Sequence, residues 1–131
     1  MTVSGISARL TLTFAALSGL VAVAMGAIGA HVLKARLDAQ ALSWLDTAVR
    51  YQAWHALALI GVAAFLARRQ AAPLGLAALA WMAGTVLFSG SLYALALTGF
   101  RPLALITPLG GVAFLVGWGA LAVFAFRGRL G

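Results

Sequence analysis

Four long stretches without a charged residue dominate this sequence. Lys, Arg, Asp and Glu are all missing from residues 10–33, 51–67, 70–100 and 102–126. A helix rises about 1.5 Å per residue, so roughly 20 apolar residues cross the ~30 Å hydrocarbon core of a bilayer. Three stretches exceed that length, and the one at 51–67 reaches it when helical residues before Tyr51 extend it. We therefore predict four membrane-spanning helices, over residues 10–33, 48–67, 74–98 and 103–126.

The composition supports a membrane protein over a soluble one. Hydrophobic residues make up 64% of the chain and charged residues 8%, whereas a soluble domain carries about 25% charged residues. A soluble fold of this size has too little interior to bury that much apolar surface. The predicted fold class is an all-α integral membrane four-helix bundle, formed by residues 1–131 as one domain. The net charge of +7 does not indicate nucleic-acid binding, because the basic residues lie at segment ends, where cations anchor to lipid headgroups.

The connector at residues 35–50 is the longest polar segment of the chain. Asp38 is suited to cap a helix that begins at Ala39, and Asp46 and Arg50 are spaced i, i+4 for a helical ion pair. Apolar residues recur at the helical period at Leu42, Leu45 and Val49. We predict a short interfacial helix here, between helices 1 and 2 and feeding into the second span.

Small residues recur at spacings of three and four in the first and last spans. The first set is Ala15, Gly19, Ala22, Gly26 and Gly29, and the second is Gly110, Ala113, Gly117 and Ala120. At this spacing each set forms one stripe along its helix, where a neighbouring backbone can approach closely. We therefore expect tight helix packing.

Polar residues inside the spans are concentrated in one leaflet, the predicted outer one. This polar cluster consists of His31, Tyr51, Gln52, His55, Ser89, Ser91, Tyr93 and Thr107. An ionisable residue inside a membrane is costly and normally faces the bundle interior or water. The cluster therefore predicts a ligand-binding pocket. Two histidines suit a proton relay or a shared metal, but a metal site usually needs three or four ligands. We favour the interpretation that both histidines hydrogen-bond to neighbours and fix helix packing, and we expect neither a metal nor another cofactor.

The sequence does not predict an enzyme. Ser89 or Ser91 with His55 and Asp46 would have to form a catalytic triad, yet Gly90-Ser91-Leu92-Tyr93 is not a nucleophile elbow. The two acids, Asp38 and Asp46, both lie in the connector, so no facing carboxylates are expected.

Charge at the span ends predicts the orientation. The side with both termini carries Arg9, Arg68, Arg69, Arg127 and Arg129, and the other side carries Lys34, Arg36, Arg50 and Arg101. The positive-inside rule then places both termini in the cytoplasm of a bacterial inner membrane.

Several motifs carry a family resemblance. They are Gly26-Ala27-Ile28-Gly29-Ala30-His31, Thr47-Ala48-Val49-Arg50-Tyr51-Gln52, Leu87-Phe88-Ser89-Gly90-Ser91-Leu92-Tyr93 and Ile106-Thr107-Pro108-Leu109-Gly110-Gly111. Over about residues 10–126 the chain resembles the YgdD/YwdK-type family of small bacterial inner-membrane proteins, and a small mitochondrial transmembrane protein is similar too. The resemblance implies a four-helix integral membrane protein and no particular activity. Its motifs coincide with the polar cluster, which favours a site there.

These features together predict a non-catalytic binding or accessory module of the membrane. Expected partners are membrane lipid and either further copies of the chain or a larger membrane complex. The alternative is an oligomeric small transporter or channel that uses His31 and His55.

Overall fold

Four rods account for almost all of the chain in the computed structural model, which describes residues 5–127. The first two rods are the helices α1 (Ala8–His31) and α2 (Ala39–Arg68). The third joins α3 (Ala72–Gly84), a π-turn (Thr85–Ser89) and α4 (Gly90–Thr98), and the fourth joins a 3-10 turn (Arg101–Leu105) and α5 (Thr107–Arg127). Each rod is long and apolar enough to cross a membrane. Residues 5–127 contain no strand, so the predicted all-α membrane bundle is confirmed. Arg129, one of the charges used for orientation, lies outside the described residues.

The connector between the first two spans is helical, but it is not a separate element. Asp38 caps the helix, its Oδ1 accepting from the Ala41 amide at 2.8 Å, and α2 then continues unbroken to Arg68. Neither Gly nor Pro occurs between Ala39 and Ile60 to interrupt it. With 30 residues, α2 is about 45 Å long, so its first turns extend beyond the hydrocarbon core.

The other helix limits also depart from the sequence-based spans in physically clear ways. α1 ends at His31, and residues 33–35 form a 3-10 turn. The last helix begins at Thr107, after a 3-10 turn that contains Pro102. Pro108 is therefore the second residue of α5, where its missing N–H leaves no hydrogen bond unmade.

The second helix lies at the centre of the bundle. α1 packs mainly against α2, which contacts α3, the π-turn and α4 on its other side, while α5 packs against α3 and the π-turn. The fully buried side chains include Leu59 of α2 with Leu74 and Trp81 of α3, and Phe114 of α5 packs against the same cluster.

Glycines allow α5 to approach the third rod closely. Gly110 faces the backbone of Phe88, and Gly117 faces the indole of Trp81, so that a Cβ at either glycine would overlap these atoms. The stripe of small residues predicted for the last span therefore contacts the third rod. In α1, Gly29 similarly faces Leu45 of α2.

Candidate functional site

The structure divides the polar cluster into separate groups. Tyr51 and His55 lie in an aromatic cluster, Gln52 bonds to Tyr93, and Ser91 bonds to Thr107. His31 is exposed at the end of α1, and its side chain forms no hydrogen bond with any described residue. The two histidines therefore do not form a shared site in this chain.

His55 is buried, with 3% of its surface exposed, and both of its ring nitrogens are paired. Nδ1 lies 2.7 Å from the backbone oxygen of Tyr51, and the indole N–H of Trp118 donates to Nε2 at 3.1 Å. Because a carbonyl oxygen only accepts, Nδ1 must carry the proton and Nε2 must supply a lone pair. This arrangement fixes a neutral imidazole and leaves no lone pair for a metal.

Aromatic rings enclose the imidazole. The Phe114 ring stacks on it with 3.7 Å between ring centroids and an angle of 10° between the ring planes. Trp81 and Trp118 approach edge-on, at 5.8 Å and 5.9 Å. The indole of Trp81 also donates to the backbone oxygen of Phe114 at 3.2 Å. His55 is thus part of the packing between α2 and α5.

The serine hydroxyls bond to groups other than His55 and Asp46. Ser89 is in the π-turn and donates to the backbone oxygen of Ala48 in α2 at 2.8 Å. The hydroxyl oxygen of Ser91 lies 2.9 Å from the backbone oxygen of Phe88 and 2.6 Å from the Thr107 hydroxyl. The bonds to Ala48 and Thr107 join the third rod to α2 and α5, and neither serine bonds to a base within the described part of the chain.

Asp46 and Arg50 lie on the exposed side of the first turns of α2. The Arg50 guanidinium donates to Asp46 at 2.5 Å, across one turn of the helix. Within residues 5–127, no three His, Asp or Glu side chains come together in a way that would hold a metal ion.

Gln52 and Tyr93 form a polar pair between α2 and α4. The Tyr93 hydroxyl donates to Gln52 Oε1 at 2.5 Å. This bond directs the amide oxygen towards Tyr93, and the amide nitrogen of Gln52 finds no partner among the described residues. Gln52 is 6% exposed, so its N–H groups lie in a largely buried position without a hydrogen bond.

A groove of about 390 Å³ opens beside this pair, between α1 and the third rod. We call it the amide groove, and its lining residues are Phe14, Leu17, Ser18, Val21, Gln52, Thr85, Val86, Ser89, Gly90 and Tyr93. Ser18 is 6% exposed, and its hydroxyl has no hydrogen-bond partner within residues 5–127.

Sequence reasoning missed Ser18, although it found Gln52, Tyr93 and Ser89. Ser18 is a single hydroxyl in an apolar helix, and a serine of that kind usually bonds to a carbonyl of its own helix. Its isolation depends on how α1 is placed beside the third rod. No local pattern in the sequence carries that information.

Two further grooves are apolar. One of about 700 Å³ lies between α2 and α5, beside Trp54, His55 and Trp118. The other, of about 620 Å³, lies between α1 and α2 and is lined mostly by small residues such as Gly19, Gly26 and Ala53.

Four apolar rods joined by hydrogen bonds within the bundle define a small integral membrane protein of the four-helix class. The family described as "Protein of unknown function (DUF423)" matches residues 25–111. The chain belongs to this family, which confirms the resemblance carried by its motifs.

Named relatives extend the match over nearly the whole chain. "UPF0382 inner membrane protein YgdD" of Escherichia coli (strain K12) is 46% identical over 121 residues, which are 92% of each protein. "UPF0382 membrane protein YwdK" of Bacillus subtilis (strain 168) is 43% identical over 114 residues, 86% of this chain and 92% of the relative. "UPF0382 membrane protein" of Haemophilus influenzae is 46% identical over 118 residues, 90% of this chain and 94% of the relative. No solved structure gives a significant match.

Proposed function

We propose that this protein is a non-catalytic binding or accessory module of the bacterial inner membrane, with both termini in the cytoplasm. One observation carries the proposal: the polar side chains of the spans mostly bond to backbone oxygens or to one another, whereas the unpaired Ser18 hydroxyl and the Gln52 amide both belong to residues that line an open groove. A chain in which most buried polar groups are already paired has few groups left for catalysis. An open groove with free donors is instead suited to holding a molecule of the surrounding membrane.

Docking to other membrane chains is the second part of this proposal. The groove between α1 and α2 is lined by small residues, and such surfaces allow close approach of another helix. Further copies of the chain or the subunits of a larger complex are the expected partners.

Native mass spectrometry of protein extracted gently from its own membrane tests the proposal. Additional mass from a lipid, a quinone or a second polypeptide is the expected result. A bare monomer, with no bound mass at any extraction strength, would contradict both the binding and the accessory role.

The paired state of His55 weighs against the alternative, an oligomeric transporter or channel. A proton or metal relay needs a ring nitrogen that is free to exchange its partner, and both nitrogens of His55 are engaged. In proteoliposomes we expect no proton or cation flux above that of empty vesicles. A flux that is present, and that is abolished by His55→Ala, would reverse this preference.

A further inference from the structure

Two unpaired hydrogen-bonding groups from different helices line the amide groove. The Gln52 amide nitrogen belongs to α2 and the Ser18 hydroxyl to α1, and both residues line the groove. A polar group that is left unpaired in an apolar environment costs free energy. Hydroxyls elsewhere in the bundle avoid this cost, as Thr85 does by donating to the backbone oxygen of Trp81 at 2.8 Å. Ser18 forms no such bond.

The free groups define the chemistry of a partner. With Tyr93 donating to Oε1 of Gln52, the amide presents only N–H donors to the groove, and the Ser18 hydroxyl can also donate. The complementary group is therefore a hydrogen-bond acceptor. Lys, Arg, Asp and Glu are all missing from the groove lining, so nothing there would neutralise a carboxylate or phosphate. The acceptor must be uncharged.

The rest of the groove suits an apolar body. Phe14, Leu17 and Val21 of α1 face Val86 of the π-turn across it. Its volume of about 390 Å³ is in the range of small-molecule sites. It holds a ring or the branched end of an acyl chain, but not a whole phospholipid.

We infer that the amide groove binds an uncharged carbonyl oxygen of a membrane amphiphile through the N–H of Gln52, and that the Ser18 hydroxyl is a second donor to the same molecule. This inference rests on the proposed binding function and names its ligand class. Two kinds of molecule carry this chemistry: a phospholipid with ester-linked chains and an isoprenoid quinone. Gln52 lies two residues beyond the exposed, ion-paired Arg50, about 3 Å along the helix axis. That depth is close to the interfacial layer, which both kinds of carbonyl can reach.

The experiment uses the whole protein in lipid nanodiscs, with two probes. Bound lipid is measured by native mass spectrometry in ester-linked phosphatidylethanolamine and in its ether-linked analogue, which has no ester carbonyl. Quinone binding is measured by titrating decylubiquinone into the ether-lipid discs. Lipid retained only in the ester discs identifies the phospholipid, and saturable binding in the ether discs identifies the quinone.

Gln52→Met keeps the shape of the side chain and removes its hydrogen bonds. We expect it to weaken, roughly tenfold, the binding of whichever probe binds to the wild type. Gln40→Met, at an exposed site of the same helix, is the matched control and should bind like the wild type. Because Gln52→Met also breaks the bond to Tyr93, a second variant is needed to separate binding from folding.

Ser18→Ala provides that separation. It removes a hydroxyl that has no partner in the protein, so it should leave stability unchanged or raise it, while binding weakens roughly threefold. If the wild type binds a probe and the Gln52→Met and Ser18→Ala variants bind it equally tightly, the inference is overturned. The proposed binding function would remain. Wild-type protein that binds neither probe, yet carries another polypeptide or molecule from its own membrane, would also overturn the inference alone. Protein that carries no bound molecule in any condition would overturn both this inference and the proposed binding function.

Discussion

At the scale of single residues, His55 shows how a membrane helix accommodates an ionisable side chain. Tyr51 of the same helix occupies one ring nitrogen, and Trp118 of α5 occupies the other. Trp118 is 45% exposed, so a tryptophan on the surface of α5 provides the donor that completes a buried imidazole. The bond therefore links α5 to α2 through a side chain on the outer surface of the bundle.

Replacing Trp118 tests this pairing. Trp118→Phe keeps an aromatic ring but leaves His55 Nε2 without a donor, and it should lower the free energy of unfolding by about 1–2 kcal/mol. Trp54→Phe is the matched control, because Trp54 is also half exposed and bonds to no histidine. We expect the control to change stability by less than about 0.5 kcal/mol. Reversible unfolding in mixed micelles, followed by circular dichroism, measures both, and equal effects would show that the hydrogen bond contributes nothing.

At the scale of elements, the contact between α5 and the third rod depends on glycine. Gly84 of α3 lies against Phe114 and the backbone of Gly110, and Gly117 lies against Trp81. Without side chains at these positions the two rods come close enough for the indole of Trp81 to reach the backbone oxygen of Phe114. The glycines thus allow a hydrogen bond between rods as well as close packing.

Alanine substitutions at two glycines of α5, only two residues apart, should therefore have different effects. Gly117→Ala would force the indole of Trp81 aside and should lower the free energy of unfolding by about 1–3 kcal/mol. Gly119→Ala, two residues further along, has no atom within 4 Å of the added methyl group. It should leave stability unchanged or raise it by up to about 1 kcal/mol, through better helix propensity. A Gly117→Ala protein as stable as the wild type would show that α5 is free to shift outward.

The sequence predicted the helices well and the site only in part. Charge-free runs and helical spacing are local properties, and they suffice for the four rods and for the shared face of Tyr51 and His55. The partners are tertiary properties: Trp118 is 63 residues from His55 along the chain, and no motif links the two. The π-turn is equally hidden, because no residue type in Thr85–Ser89 demands it. It forms where Ser89 bonds to the backbone of α2.

At the scale of the whole molecule, the distribution of arginine predicts how the bundle sits in the membrane. Arg9, Arg68 and Arg69 lie at the end of the bundle that contains the α2–α3 turn, together with Arg127. The opposite end carries Lys34, Arg36, Arg50 and Arg101 together with the chain's two acids. In the sequence-based assignment, Arg129 adds a fifth cation to the side with the termini. This margin of one cation predicts that the α2–α3 turn lies in the cytoplasm.

Cysteine labelling tests the orientation without background, since the natural sequence has no cysteine. In intact cells, a membrane-impermeant maleimide should label Ala35→Cys in the turn after α1. It should not label Gln70→Cys in the α2–α3 turn until the membrane is opened. The reverse pattern would place both termini outside the cytoplasm.

The attachment of α1 through α2 has a mechanical consequence. α1 packs mainly against α2, and the amide groove lies along its other side, towards the third rod. Because α1 is held mainly by α2, few direct contacts fix its angle to the third rod. A carbonyl-bearing molecule bound in the amide groove would separate α1 from the third rod and so determine the angle between them. The spacing between α1 and α4 would then follow the supply of that molecule in the bilayer, and any protein resting on the outer face of α1 would sense it.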